Sequence, residues 1–207
     1  MEILEDRPSS NYLKHKVKEE GGHRGFWLGS EPLKFKSMQV DFNTLKTGWG
    51  FYNGSSYEYV WDKVVGSLTA KPSEEHKRAF YLWVYTDGFD TPLLWNNFTV
   101  GEYESVKNLL RLGWDDWQKD RELMATYVYE KSVEKAVGKG TTSIAEFKYM
   151  GCRARSKDFV IPEWDNEEPL IANGDSSTPS LNEGLDDLVN DAVEATKDTN
   201  LEDDIPF

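Results

Sequence analysis

Charge and aromatic content divide this chain at one point, and that division constrains the fold more than any motif. Residues 165–207 hold 13 Asp and Glu against the single Lys197, whereas residues 1–164 hold 24 acids against 23 Lys and Arg. Of the 28 Phe, Trp and Tyr, 27 lie at or before Trp164, and the remaining one is Phe207. A segment so charged and so poor in large apolar groups cannot offset the entropy of ordering its backbone. Residues 165–207 are therefore expected to be a disordered acidic C-terminal tail. Residues 26–164 have the length and apolar content of one compact domain, and residues 1–25, charged and broken at Gly21-Gly22, read as a flexible N-terminal arm.

Several function classes are poorly served by these residues. One cysteine, Cys152, excludes an internal disulfide, and His15, His23 and His76 are too scattered for a zinc spacing. Neither a metal nor a cofactor is expected. No apolar run approaches the ~18 residues of a membrane span, and the first residues lack a basic segment leading into an apolar one, so a cytoplasmic protein is expected. There is no Gly-rich phosphate loop and no nucleophile elbow. Asp87, Asp90, Glu102, Glu104, Asp115 and Asp116 could supply oxygens to a metal-dependent nucleic-acid enzyme. Each, however, stands at a turn or in an expected first helical turn, where acids are favoured anyway. The expectation is a protein that is not an enzyme.

The domain reads as mainly β with a helical insertion. Alternation begins at LKFKSMQVDF, and WGFYNGSSYEYVW sets two aromatic runs on either side of Asn53-Gly54, a hairpin signal. AFYLWVYT, residues 79–86, is the clearest strand, and TPLLWNNFTV carries another apolar piece. Thr99 with Glu102 has capping-box spacing, and Val106, Leu109 and Leu110 form a helical stripe; Trp117, Met124 and Val128 predict a second helix from near Asp115. Strand pattern returns with SIAEFKYMGCRAR and closes at DFVIPEW. Strands around a helical insertion predict a small mixed β-barrel with helices on one side.

Period-2 sorting of these strands yields a chemical pattern. In AFYLWVYT, Tyr81, Trp83 and Tyr85 share the face opposite Phe80, Leu82 and Val84; in YEYVW, Tyr57, Tyr59 and Trp61 lie together. Lys34 and Lys36 share one face, and Arg153 and Arg155 share another. Rings beside cations suit single-stranded nucleic acid, since bases stack on rings and Lys or Arg neutralises phosphates. Lys46, Trp49 and Lys63, in and around the hairpin, complete the candidate DNA-binding set. The competing reading is that such strands are aromatic because rings favour strands, with a helix covering the second face.

The final residues carry a family resemblance. Asp203-Asp204-Ile205-Pro206-Phe207, behind an acidic segment with no other ring, resembles the C-terminal tip of single-stranded DNA-binding proteins of the bacterial and phage type. The resemblance covers the tip alone. It implies an OB-fold-like five-stranded β-barrel core that coats and protects single-stranded DNA without regard to sequence. It also implies a tip that recruits replication, recombination and repair proteins, with Phe207 in an apolar pocket, Ile205 and Pro206 beside it, and Asp203 and Asp204 on surrounding cations. A phage-encoded chain would work in the cytoplasm of its bacterial host. Self-association is left open. Upstream, Ser180 with Glu183, followed by Leu181, Leu185, Leu188, Val189, Ala192 and Val193, has the spacing of a transient helix. The alternative is an adaptor that mimics the tip and competes for the same replication partners.

Overall fold

A computed structural model describes residues 12–20, 23–67, 69–137 and 140–162. The expected acidic tail, its helical spacing at 180–193 and the tip Asp203–Phe207 lie outside the described residues, as does Trp164. No helix among the described residues is long and apolar enough to cross a membrane.

The strand AFYLWVYT is the centre of the architecture. It lies in β7 (Lys77–Thr86), which pairs along one edge with β8 (Leu93–Asn97) and along the other with two strands end to end: β4 (Ser37–Val40) and β5 (Lys46–Tyr52). Between these two a 3-10 turn at Phe42–Thr44 takes the chain across the gap, capped by the Asp41 side chain, which accepts from Asn43 N at 3.1 Å. The gap would leave a β7 amide without a ladder partner. Thr44 supplies one: Trp83 N donates to its hydroxyl at 2.9 Å.

The remaining strands are β1 (Tyr12–Glu20), β2 (His23–Leu28), β3 (Glu31–Pro32), β6 (Tyr57–Trp61), β9 (Leu123–Val137) and β10 (Gly140–Ala154); among the described residues one α-helix, α1, spans Val100–Trp117. The chain is mainly β, as its patterns predict. Ten strands form one mixed open sheet in the order β10-β9-β4-β7-β8-β1-β2-β3, with β5 on β7 and β6 on β5 alone. Among the described residues only β1 and β8 run parallel. The two ends of the sheet approach each other through side chains. Arg24 meets Glu134 at 2.8 Å, and the Phe26 and Tyr129 rings lie 5.3 Å apart.

The segment expected to be a flexible arm contributes β1. Its alternation is real although its composition is charged: Leu13 and His15 are buried, while Lys14 between them is exposed. The domain therefore begins by Tyr12, not at residue 26. The predicted second helix is absent. Trp114 and Trp117 are buried on α1 itself, and Met124 and Val128 belong to β9, where they fit a period of 2 as well as one of 3.6.

α1 sits against the inner face of the sheet, over Phe42, Phe80, Trp95, Tyr127 and Phe147. Its first turn presses on β10. A Cβ at Gly101 would come 2.3 Å from Thr142 Oγ1 and 2.4 Å from Ser143 O. One turn on, the Ser105 hydroxyl donates to Gly101 O at 2.7 Å and accepts from Ala145 N at 2.9 Å. That amide belongs to β10, at one end of the sheet, so the helix covers an edge that would otherwise invite pairing.

Thr99 is the N-cap of α1, as predicted, but its side chain does not cap the backbone. It donates instead to Glu102 Oε2 at 2.9 Å, while Glu102 Oε1 accepts from His15 N at 2.6 Å and Trp95 Nε1 at 3.1 Å. Glu102 thus joins helix, β1 and β8 from a fully buried position. Burial pushes its carboxyl up to about 7 from 4.5, and burial pushes the His15 imidazole down to about 4 from 6.5.

These two shifts oppose each other in pH dependence. The raised carboxyl adds stability that is complete below pH 4.5 and lost as pH rises through 7; the lowered imidazole adds stability present above 6.5 and lost as pH falls through 4. Between 4.5 and 6.5 the slopes cancel. Glu102→Gln leaves the imidazole slope alone, so the variant is expected to lose about 2–3 kcal/mol relative to the unsubstituted protein on acidifying across that window. Urea unfolding at both pH values checks this; parallel losses in the two proteins would refute it.

Candidate nucleic-acid interface

The outer face of the sheet, away from α1, is where most of the candidate rings gather. On β6 the register sets Trp61 opposite Gly48, Tyr59 opposite Gly50 and Tyr57 opposite Tyr52. Glycine at two of these β5 positions makes room for the rings. A Cβ at Gly48 would meet Val60 O at 2.3 Å and Trp61 Cε3 at 3.1 Å, and one at Gly50 would meet Tyr59 Cε1 at 3.1 Å. Tyr59 and Trp61 stack at 4.8 Å with their planes 6° apart, and Tyr52 and Tyr57 lie 4.9 Å apart. Phe98, from the end of β8, touches Tyr57 at 5.8 Å and Tyr59 at 6.5 Å. The outer end of the row is open, with Tyr52 and Tyr57 about half exposed at 48% and 53%.

Cations flank the row. Lys46 stands over the Tyr81 ring at 5.1 Å, and Tyr81 meets Trp61 edge-on at 6.1 Å. Lys77, exposed, pairs with Gly50 and shares the Tyr81 face of β7. Lys63 is exposed in the turn after β6. The loop between β5 and β6 is fixed by Asn53, whose side-chain oxygen accepts from Ser55 N and Ser56 N at 3.0 and 2.9 Å, with Gly54 at φ 93°. The Asn53-Gly54 signal thus marks a real hairpin.

Further along β7 the face closes. Trp83 is fully buried, packed with Tyr81, Leu94, Met124 and Phe159 in a second small core. Its cover is the segment DFVIPEW, where the domain was expected to end; its described residues cross the outer face as an irregular plug, with Phe159 and Ile161 on the rings. Trp83 therefore packs where stacking was expected of it, and Tyr81, 4% exposed, offers little more than an edge. Arg155 holds the plug down. It pairs with the buried Asp41 at 2.6 Å and lies 5.2 Å over the Phe159 ring, a structural duty in place of the expected phosphate contact.

Beyond the plug the face opens again at a groove of about 340 Å³, with Tyr85 and Arg153 in its lining. Arg153 reaches this face because β10 carries a register shift between Tyr149 and Cys152, with Gly151 at φ 90°. The bulge lets Tyr149 and Cys152, three residues apart, both pack towards the inner core.

Three more candidates lie elsewhere. Trp49 is on the inner face, 6% exposed, donating to Thr69 O at 2.7 Å beneath the Arg78 guanidinium. Its glycine neighbours Gly48 and Gly50 share the outer face instead. Lys34 and Lys36 are exposed, as their alternation with the inward-packed Leu33 and Phe35 predicts, but the segment precedes β4 and is not strand. It is tied to the turn after β7, where Asp87 Oδ1 accepts from Lys36 N at 2.8 Å and from Ser37 N at 3.1 Å. Asp87 thus serves the turn chemistry its position suggests. Among the described residues no group of three or more His, Cys, Asp or Glu could hold a metal ion.

Sequence reading missed Tyr52, Lys77 and Phe98. Tyr52 and Lys77 follow from extending the period-2 sorting by one step of two residues at each strand end; Phe98 had no periodic signal. Gly48 is the position where the ring row is easiest to disturb. Gly48→Ala is expected to cost about 1–3 kcal/mol of stability by overpacking against β6 and to make the Trp61 environment more polar. Urea unfolding with tryptophan emission checks this, and an unchanged midpoint and spectrum would show that the close approach has no cost.

Comparison of the chain with protein-family models, with curated proteins and with solved structures finds no match in any of the three.

Proposed function

We propose that this protein binds single-stranded DNA on the outer face of its sheet, without catalysis and without strong regard to sequence. The observation that carries the reading is the ring row of β6. Tyr57, Tyr59 and Trp61 lie over the side-chain-free Gly48 and Gly50, open at the Tyr57 end, with Lys46 and Lys77 alongside. Successive ring faces beside successive cations match successive bases joined by phosphates. A sequence-reading duplex protein would instead present a helix or ribbon of polar side chains to a groove. On this reading the domain does the work of an OB-like fold. The tip Asp203–Phe207 recruits replication, recombination and repair proteins in the cytoplasm, of a bacterial host if the chain is phage-encoded.

The test is a titration of poly-dT into the full chain at several salt concentrations, followed by tryptophan emission. Quenching is expected, with the logarithm of affinity falling linearly against the logarithm of salt. Absence of both quenching and any salt-dependent association would reject the reading in favour of the tip-bearing adaptor.

A further inference from the structure

The groove beyond the plug differs in chemistry from the β6 ring row. Its lining includes one ring residue, Tyr85, but also the polar residues Gln39, Thr126, Asp87 and Arg153. Sheet register builds it: Gln39 pairs with Tyr85 on one side and with Thr126 on the other, so the three stand in one row across β7, β4 and β9. Thr126 is 5% exposed, and its hydroxyl has no hydrogen-bond partner among the described residues. A buried hydroxyl left in this way is costly unless something else completes it. Both turn bonds to Asp87 land on Oδ1, so Oδ2 remains an acceptor. Arg153 is exposed at the edge.

We infer that this groove is a second base-binding station, one that reads base chemistry, and that it takes a nucleotide whose base carries an exocyclic amino group. This rests on the proposed single-strand function and deepens it. Tyr85 supplies the ring for stacking, Arg153 the cation for the phosphate, and Gln39 both a donor and an acceptor for the base edge. The Asp87 carboxylate can only accept, and the Thr126 hydroxyl can serve as either. An amino group on cytosine, adenine or guanine gives Asp87 a donor; thymine offers a carbonyl oxygen at the place where cytosine has its amino group, and a carboxylate repels it. The volume of about 340 Å³ lies at the small end of ligand sites, suited to one nucleotide. Tyr85 is four residues along β7 from Tyr81, roughly 13 Å at strand rise, so one strand could reach both stations by crossing the plug.

Oligo-dC and oligo-dT of equal length, titrated into the full chain at one salt concentration, provide the test. The expected result is about tenfold tighter binding of oligo-dC, the size of one or two good hydrogen bonds. Thr126→Val and Gln39→Ala should each reduce that ratio towards one by weakening oligo-dC more than oligo-dT. Equal affinity of the unsubstituted protein for both oligomers overturns the second station and leaves the single-strand reading standing. A preference that survives in both variants also overturns it. Binding of neither oligomer removes the single-strand reading, and the station with it.

Discussion

Arg78→Met is expected to lower the free energy of unfolding by about 3–5 kcal/mol, the cost of stranding a buried charge. Arg78 Nη2 meets Asp62 Oδ2 at 3.1 Å, with side-chain exposures of 2% and 0%. Asp62 is well supplied: Oδ2 also accepts from Thr47 Oγ1 at 2.7 Å, and Oδ1 accepts from Thr69 N at 3.2 Å. The guanidinium lies 4.8 Å from the Trp49 ring and 5.7 Å from that of Tyr103, and its Nε and Nη1 lack hydrogen-bond partners among the described residues. Removing the cation leaves the buried Asp62 carboxylate without its counter-charge. Removing both charges, in Asp62→Leu with Arg78→Met, should recover much of the loss, because a buried pair replaced by apolar groups is often near neutral. Urea unfolding of the three proteins decides: a loss below about 1 kcal/mol in Arg78→Met would mean that water reaches the pair. The clamp also matters to the interface. Asp62 follows β6 directly, and among the described residues β6 pairs only with β5, so the ion pair ties the far end of the ribbon to β7.

Trp61→Ala should weaken poly-dT binding by about 10- to 100-fold, the range of 1–3 kcal/mol per stacked base, with its salt dependence unchanged. Lys46→Ala with Lys77→Ala should act differently, reducing the salt slope by about 1.4, or ~0.7 for each phosphate contact on a single strand. Trp83→Phe supplies the contrast. It should cost stability, since Trp83 is fully buried under Phe159, yet leave the affinity of the folded protein unchanged. Salt-dependent titrations of the four proteins would separate ring contacts from phosphate contacts. Equal affinity for Trp61→Ala and the unsubstituted protein would remove the β6 row from the interface.

What could be read in advance depended on whether the physical cause was local. The Asn53-Gly54 turn, the faces of AFYLWVYT and the pairing of Leu33 and Phe35 against Lys34 and Lys36 follow from backbone geometry over a few residues, and all three are present. The second helix failed because Trp117, Met124 and Val128 span a strand start as well as they span helical turns. β1 was hidden by composition: the charges of YLKHKVKEE obscure Leu13 and His15, whose burial depends on contacts with α1 and β9 far along the chain. The same holds for Trp83. Its face was assigned correctly, but whether a face is open depends on what crosses it, and the plug at 158–162 arrives from more than 70 residues away. The bulge at Gly151, which gives Arg153 its position, lies in a stretch with no turn signal beyond one glycine.

The plug also determines where the chain departs. Phe159 and Ile161 are fixed on the rings of β7, so everything after residue 162 is tethered at the middle of the outer face, between the β6 ring row and the Tyr85 groove. The 13 acids beyond Trp164 follow that point along the chain. Any ligand that spans the β6 row and the Tyr85 groove must pass over this plug.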